Sequence, residues 1–271
     1  MSQGSRPRAR AAQVAGIAVS FACLYLVFRN IDLAALRTAL AALQWPLLAA
    51  GLASLACGYL LRIARWAVML RAAGATVSAR DCAAPFLGSI ALNNILPLRA
   101  GDIVRALVFP AALAVPRTTA GASLLIERLA DLLTLLLALG LGLTLAGSAL
   151  PPWLGAGVLV LAAAGFFGLT AIALFGPWLS SYASRLQAHK PHRALAIAAD
   201  LLTSLSAMAR PRVLAVLALY SFALWACEAG LFWALLAGLG IPATPPQALA
   251  VMALATLATL LPSSPGYVGT F

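Results

Sequence analysis

The chain is built of apolar runs long enough to cross a bilayer, broken by single charges rather than by charged loops. Such runs lie near 11–28, 46–70, 153–176 and 213–239. A hydrocarbon core is about 30 Å thick and takes about 20 helical residues to span. Within it every backbone polar group must find a partner inside the protein, which leaves helices and closed barrels. The apolar residues recur at helical spacing, so the expected fold is an all-α polytopic integral membrane helix bundle. Composition agrees: 63% of the 271 residues are hydrophobic and 9% are charged, too few charges to cover a soluble surface of this size. The whole chain, 1–271, reads as one membrane domain, with a first half to about 147 and a second half from about 148.

The 18 basic residues outnumber the 7 acidic ones, for a net charge of +11. In a soluble protein that excess would suggest nucleic acid. Here the basic residues sit singly between apolar runs, as orientation signals do, so no nucleic-acid partner is expected. The basic start (Arg6, Arg8, Arg10) and the run Val14–Phe28 imitate a signal peptide. No small-residue cleavage site precedes Arg29, so the run reads as an uncleaved first span. Cys23, Cys57, Cys82 and Cys227 all fall in apolar segments without a C-x-x-C pair, which argues against a metal or disulfide framework.

Counting Lys and Arg places the N-terminus in the cytoplasm of a cell (inner) membrane protein. About fifteen basic residues then lie inside and two outside, with Arg128 left in the membrane. This topology holds only if 82–97 enters from the cytoplasm and returns. That segment is short for a span and ends in Asn93, Asn94 and Pro97. Broken backbone at membrane depth needs polar partners or a water-filled cavity. The stretch 30–44 is expected along the interface, and 177–212 as a surface amphipathic helix pair.

Two breaks resemble each other. ILPLRAG and LLPSSPG both have Leu-Pro, three residues, then Gly: Pro97 to Gly101 and Pro262 to Gly266. They approach from opposite sides of the membrane. Interrupted short segments at corresponding places of two inverted halves point to a transporter-like site. Coincidence is the alternative, because Pro and Gly punctuate many loops.

Four groups of residues carry candidate chemistry. In NNILPLRAGDIVR, Asn93 and Asn94 offer amides, and Arg99 and Arg105 offer forked donors suited to phosphate. Gly101 allows close backbone approach, and Asp102 orients an arginine or meets a cation. A snorkelling cytoplasmic loop is the plainer reading. Glu127, Arg128 and Asp131 in IERLADLL lie at helical i,i+3 and i,i+4 spacing just before a purely apolar stretch. An interfacial cluster is their plainer reading; at bilayer depth such groups pair or line a polar cavity. Glu228 is a lone acid deep in a span, either protonated or paired with Arg62, Arg65 or Arg128. In PSSPGYVGT, Ser263, Ser264, Gly266 and Thr270 offer hydroxyls and exposed amides to an anion or headgroup, unless this is an ordinary exit loop.

Taken in order, NNILPLRAGDIVR, IERLADLL and LPSSPGYVGTF resemble the flippase-like membrane domain of lysylphosphatidylglycerol synthase/flippase proteins and its stand-alone relatives. The matching positions are Arg65, Asn94, Pro97, Arg99, Gly101, Asp102, Arg105, Glu127, Arg128, Asp131, Pro262, Pro265, Gly266, Gly269 and Thr270. Asp102 stands where that family often has Glu. The chain ends at Phe271 within the last of these motifs, as a truncated piece would. A soluble aminoacyl-transfer domain has no room here, so the resemblance implies lipid translocation without lipid aminoacylation.

The first functional expectation is therefore a lipid flippase or transporter. Its partners would be a phospholipid or lipid-linked substrate and the membrane, with homo-oligomerisation left open and with no cofactor or metal. Arg99 and Arg105 would hold phosphate; Asp102, Glu127 and Asp131 would meet cationic parts of the headgroup or switch partners between inward- and outward-facing states. The alternatives are a polytopic transferase of glycosyl-transferase type, for which no D-x-D motif occurs, and a non-transporting scaffold for lipid synthesis.

Overall fold

In the computed structural model the described residues are 25, 32–96, 100–148, 151–189 and 192–259. The first span (11–28, apart from Tyr25), Pro97, Arg99 and the PSSPGYVGT break lie outside them. The described residues are helical: α1 Leu33–Ala41, α2 Trp45–Ala72, α3 Ala79–Ile95, α4 Ala100–Leu107, a 3-10 turn Phe109–Leu113, α5 Arg117–Leu145, α6 Pro152–His189, α7 Arg193–Met208, α8 Pro211–Gly238 and α9 Pro245–Ala258. Three of them, α2, α6 and α8, are long and apolar enough to cross a membrane. α5 is 29 residues long, but its first half carries the ionic triad. The result is a membrane helix bundle.

Packing without a hydrophobic gradient between helix and lipid depends on small residues that let backbones approach. α2 and α8 show this. They run antiparallel, with Gln44 donating to the Gly238 carbonyl at one end and Arg65 meeting Ser221 at the other. A Cβ on Gly51 would lie 3.2 Å from Ala234, and Ser54 donates to the Cys227 carbonyl at 2.7 Å. α9 seats on α5 at Gly142, where a Cβ would come 2.7 Å from the Ala250 backbone nitrogen. By contrast, only 6% of the apolar window of α6 is buried within the protein, so this helix faces lipid.

The stretch 177–212 differs from its expected form as a surface helix pair. α6 runs unbroken through Pro177 to His189, and only α7 is a separate helix. The hydroxyls of Ser180 and Ser181 donate back to the Pro177 carbonyl, as serines within helices do, while the donor that proline lacks is the one the Ala173 carbonyl would otherwise receive. At 38 residues α6 extends about 57 Å, well beyond the hydrocarbon core. Trp178 stacks on Tyr182 at 5.8 Å on its exposed surface, the amphipathic pair expected at a membrane interface.

After α3 the chain reverses. A Cβ on Gly101 would lie 2.0 Å from the Ser89 carbonyl oxygen, so only glycine lets α4 lie back against α3. Further along, Arg105 reaches Phe86 and Phe109 reaches Gly88, which makes the pair an antiparallel hairpin. α3 has 17 residues, about 25 Å, less than a full span.

Features recur at a constant spacing of 166 residues. α2 begins at 45 and α8 at 211; they end at 72 and 238. Gly74 and Gly240 follow with positive φ (95° and 72°). The Ser78 amide then donates to the Asp81 side chain and the Thr244 amide to Gln247, each at 2.8 Å, where α3 and α9 start.

Replacing Gly142 by Ala should lower the melting temperature of the detergent-solubilised protein, through overpacking of about 1–3 kcal/mol. Gly121→Ala, where a Cβ meets nothing within 4 Å, should not. Thermal unfolding of both variants checks this.

Candidate functional site

Four of the seven acidic residues gather with four arginines where α2, α4, α5 and α8 meet. Each helix delivers its members from one face. α2 presents Arg62, Arg65 and Trp66; α5 presents Glu127 and Asp131; α8 presents Ser221, Trp225 and Glu228 at spacings of four and three. The short α4 supplies Asp102 and Arg105.

The deep part of the cluster centres on Arg65, whose side chain is 2% exposed. Its Nη1 donates to Asp131 Oδ1 and Ser221 Oγ, both at 2.7 Å, and its Nη2 donates to Asp131 Oδ2 at 3.2 Å. A forked guanidinium on a carboxylate is the strongest geometry available to an ion pair. The Trp225 indole donates a third hydrogen bond to Asp131 at 3.2 Å. Beside it, Arg105 donates to Glu127 at 2.9 Å and lies over the rings of Phe86 and Trp66. Glu127 also sits 4.0 Å from Arg65. Arg65 Nε, Arg105 Nη1 and Glu127 Oε2 have no hydrogen-bond partner among the described protein atoms, so charge pairing holds this part more than complete hydrogen bonding does.

Asn93 locks α3 to α4. Its amide donates to Asp102 Oδ1, and its carbonyl oxygen accepts from the Asp102 backbone, both at 3.1 Å. Arg128 of α5 donates to the other carboxylate oxygen of Asp102.

The outer part of the cluster faces a cavity of about 530 Å³, within the range of small-molecule and headgroup sites. Arg62, Arg128, Asp131 and Glu228 give it charge; Asn93, Asn94, Thr256 and Thr259 give it neutral polar groups. Tyr59, Trp225, Phe232 and leucines of α5 form apolar and aromatic walls. Arg62 donates to Glu228 at 2.7 Å and lies 4.7 Å over the Trp225 ring. Arg128 is the most exposed arginine of the cluster, its side chain 36% accessible.

The sequence-derived residues thus separate into two groups. Asn94, Arg128, Asp131 and Glu228 reach the cavity. Asn93 lines it as well, but both ends of its amide are committed to Asp102. Arg65, Arg105 and Glu127 are buried behind the cavity and serve one another. Asp102 is buried too, paired with Arg128. Arg99, Ser263, Ser264, Gly266 and Thr270 lie outside the described residues. Of the partners considered for Glu228, Arg62 is the one it has. Sequence reasoning passed over Tyr59, Ser221, Trp225, Phe232 and Thr256. Trp225 had a signal: it stands one helical turn before Glu228, on the same face.

Replacing Asp131 by Ala should cripple folding rather than leave a stable, inactive protein, because it strands Arg65 in the interior at a cost of about 3–5 kcal/mol. Loss of the monodisperse peak in size-exclusion chromatography checks this. Glu228→Gln, at a partly accessible position, should keep it.

Comparison with curated proteins and with solved structures returns no match. The family model described as the lysylphosphatidylglycerol synthase TM region matches residues 13–271, through α1 to α9 and every arginine and acid of the cluster. That match covers nearly the whole sequence, so the chain belongs to the lysylphosphatidylglycerol synthase transmembrane-region family.

Proposed function

We propose that the protein moves a phospholipid or lipid-linked headgroup across the cytoplasmic membrane, with the headgroup in the cavity and the acyl chains in lipid. The family supplies a membrane and lipid setting. The observation that carries the reading is a single cavity that joins accessible guanidinium groups, Arg62 and Arg128, to apolar and aromatic walls among membrane helices. Guanidinium groups suit phosphate, and the apolar walls suit the glycerol and chain ends. Arg62 takes over the phosphate role that the sequence gave to Arg105, whose charge is spent on Glu127.

A two-sided mechanism finds support in the spacing of 166. α2 with α3, and α8 with α9, are the same two-helix unit placed antiparallel, as α2 and α8 themselves run. We read them as an inverted duplication, the architecture on which alternating access is built. The α3–α4 hairpin, short and with Ile95, Ile103 and Leu107 exposed to the surroundings, is the re-entrant element of the first half. A cytoplasmic N-terminus belongs to the same reading. Arg62, Arg65 and Arg105 leave the count of fifteen inside charges because they pair internally, and twelve against two remain.

Reconstitution into vesicles with a fluorescent phospholipid tests this, read by the fraction protected from an outside quencher. Arg62→Gln and Arg128→Gln should each slow translocation at least about tenfold, the worth of one charge-assisted hydrogen bond. Exposed Arg71→Gln should leave it unchanged. Parental rates in both cavity variants would refute the assignment.

A further inference from the structure

The charge balance of the cluster constrains which headgroup fits. Among the described residues, Arg62, Arg65, Arg105 and Arg128 face Asp102, Glu127, Asp131 and Glu228, four against four. The set is continuous: Trp225 carries Arg62 on its ring face and donates its indole N–H to Asp131. Most of the acids are tightly held. Asp131 takes hydrogen bonds from Arg65, Ser221-bound in turn, and from Trp225; Asp102 takes them from Asn93 and Arg128. Among the described residues Glu228 accepts one, from Arg62, and this pair is partly open to the cavity, with side chains 17% and 22% exposed.

An anionic headgroup would displace Glu228 from Arg62 and leave one carboxylate unpaired in a low-dielectric site, which is strongly unfavourable. A headgroup carrying both a phosphate and an ammonium avoids this. Its phosphate accepts from Arg62 and Arg128, its ammonium donates to Glu228, and the site stays neutral. Tyr59, Trp225 and Phe232 line the same cavity as Glu228, and aromatic faces attract an ammonium. We propose that the cavity selects a net-neutral, zwitterionic headgroup, with Glu228 as its ammonium-binding residue and Arg62 and Arg128 as its phosphate-binding residues. This rests on the headgroup reading of the cavity and narrows it to one charge class.

Equilibrium binding in an uncharged detergent tests it, so that no membrane surface potential contributes. The probes are radiolabelled short-chain phosphatidylethanolamine and phosphatidylglycerol with identical chains. The parent should bind the ethanolamine lipid at least about tenfold more tightly. Glu228→Gln, which leaves the cluster one positive charge in excess, should reverse the preference, and Glu228→Asp should keep it. Melting temperatures of the three proteins control for folding. Equal binding of both lipids by the parent, tighter binding of the glycerol lipid, or an unchanged preference in Glu228→Gln would overturn the charge-class assignment and leave the headgroup cavity standing. Binding of neither lipid by the folded parent would overturn the cavity reading itself.

Discussion

The fold turns on one guanidinium placed where a membrane protein can least tolerate it unpaired. Arg65 sits in the last third of α2, a helix whose first half is almost wholly apolar. Its fork closes on Asp131 of α5, and the same Nη1 reaches Ser221 of α8. Three helices distant in sequence are therefore fixed in rotation as well as in position, since no other facing satisfies the charge. A purely apolar seam would allow helices to slide, because lipid competes equally well for Leu and Val. The ionic seam removes that freedom.

The other ion pairs extend this logic outward. Glu127 secures Arg105 and with it the short α4, which has too few residues to hold itself in place. Gly101 and Asn93 then draw α4 against α3. Arg128 and Arg62 sit at the edge of the network, where the demand for pairing is lower and the cavity begins. The order runs from charges enclosed within the protein to charges that border the cavity. A binding site built on that gradient has a rigid floor and a responsive rim.

Much of this was legible in the sequence. The apolar runs announced the bundle, and the placement of Glu127, Arg128 and Asp131 on one stretch of helix announced the charged cluster. The division of labour within it was not legible. Arg105 and Arg128 look alike as letters, yet one is enclosed by Phe86 and Trp66 while the other meets the cavity. Which arginine is enclosed and which opens on the cavity depends on helix rotation, which the letters alone do not carry. The Leu-Pro breaks hinted at a repeat, but its stronger markers are Gly74 and Gly240 and the capping residues Ser78 and Thr244. These are small residues at helix ends whose significance rests on φ angles and hydrogen bonds. The long α6 differs from its expected form because Pro177 and the polar residues after it imitate a helix boundary, whereas the helix continues through them to His189.

The central claim is that the cavity beside Arg62 and Arg128 is where a lipid headgroup resides. Photo-crosslinking with a phospholipid bearing a photoreactive headgroup, followed by mass-spectrometric mapping, addresses it directly. The account predicts adducts on peptides carrying Tyr59, Trp225 and Phe232, abolished by an excess of unlabelled lipid. Adducts confined to the lipid-facing surface of α6, around Phe166, Phe167 and Phe175, would contradict it.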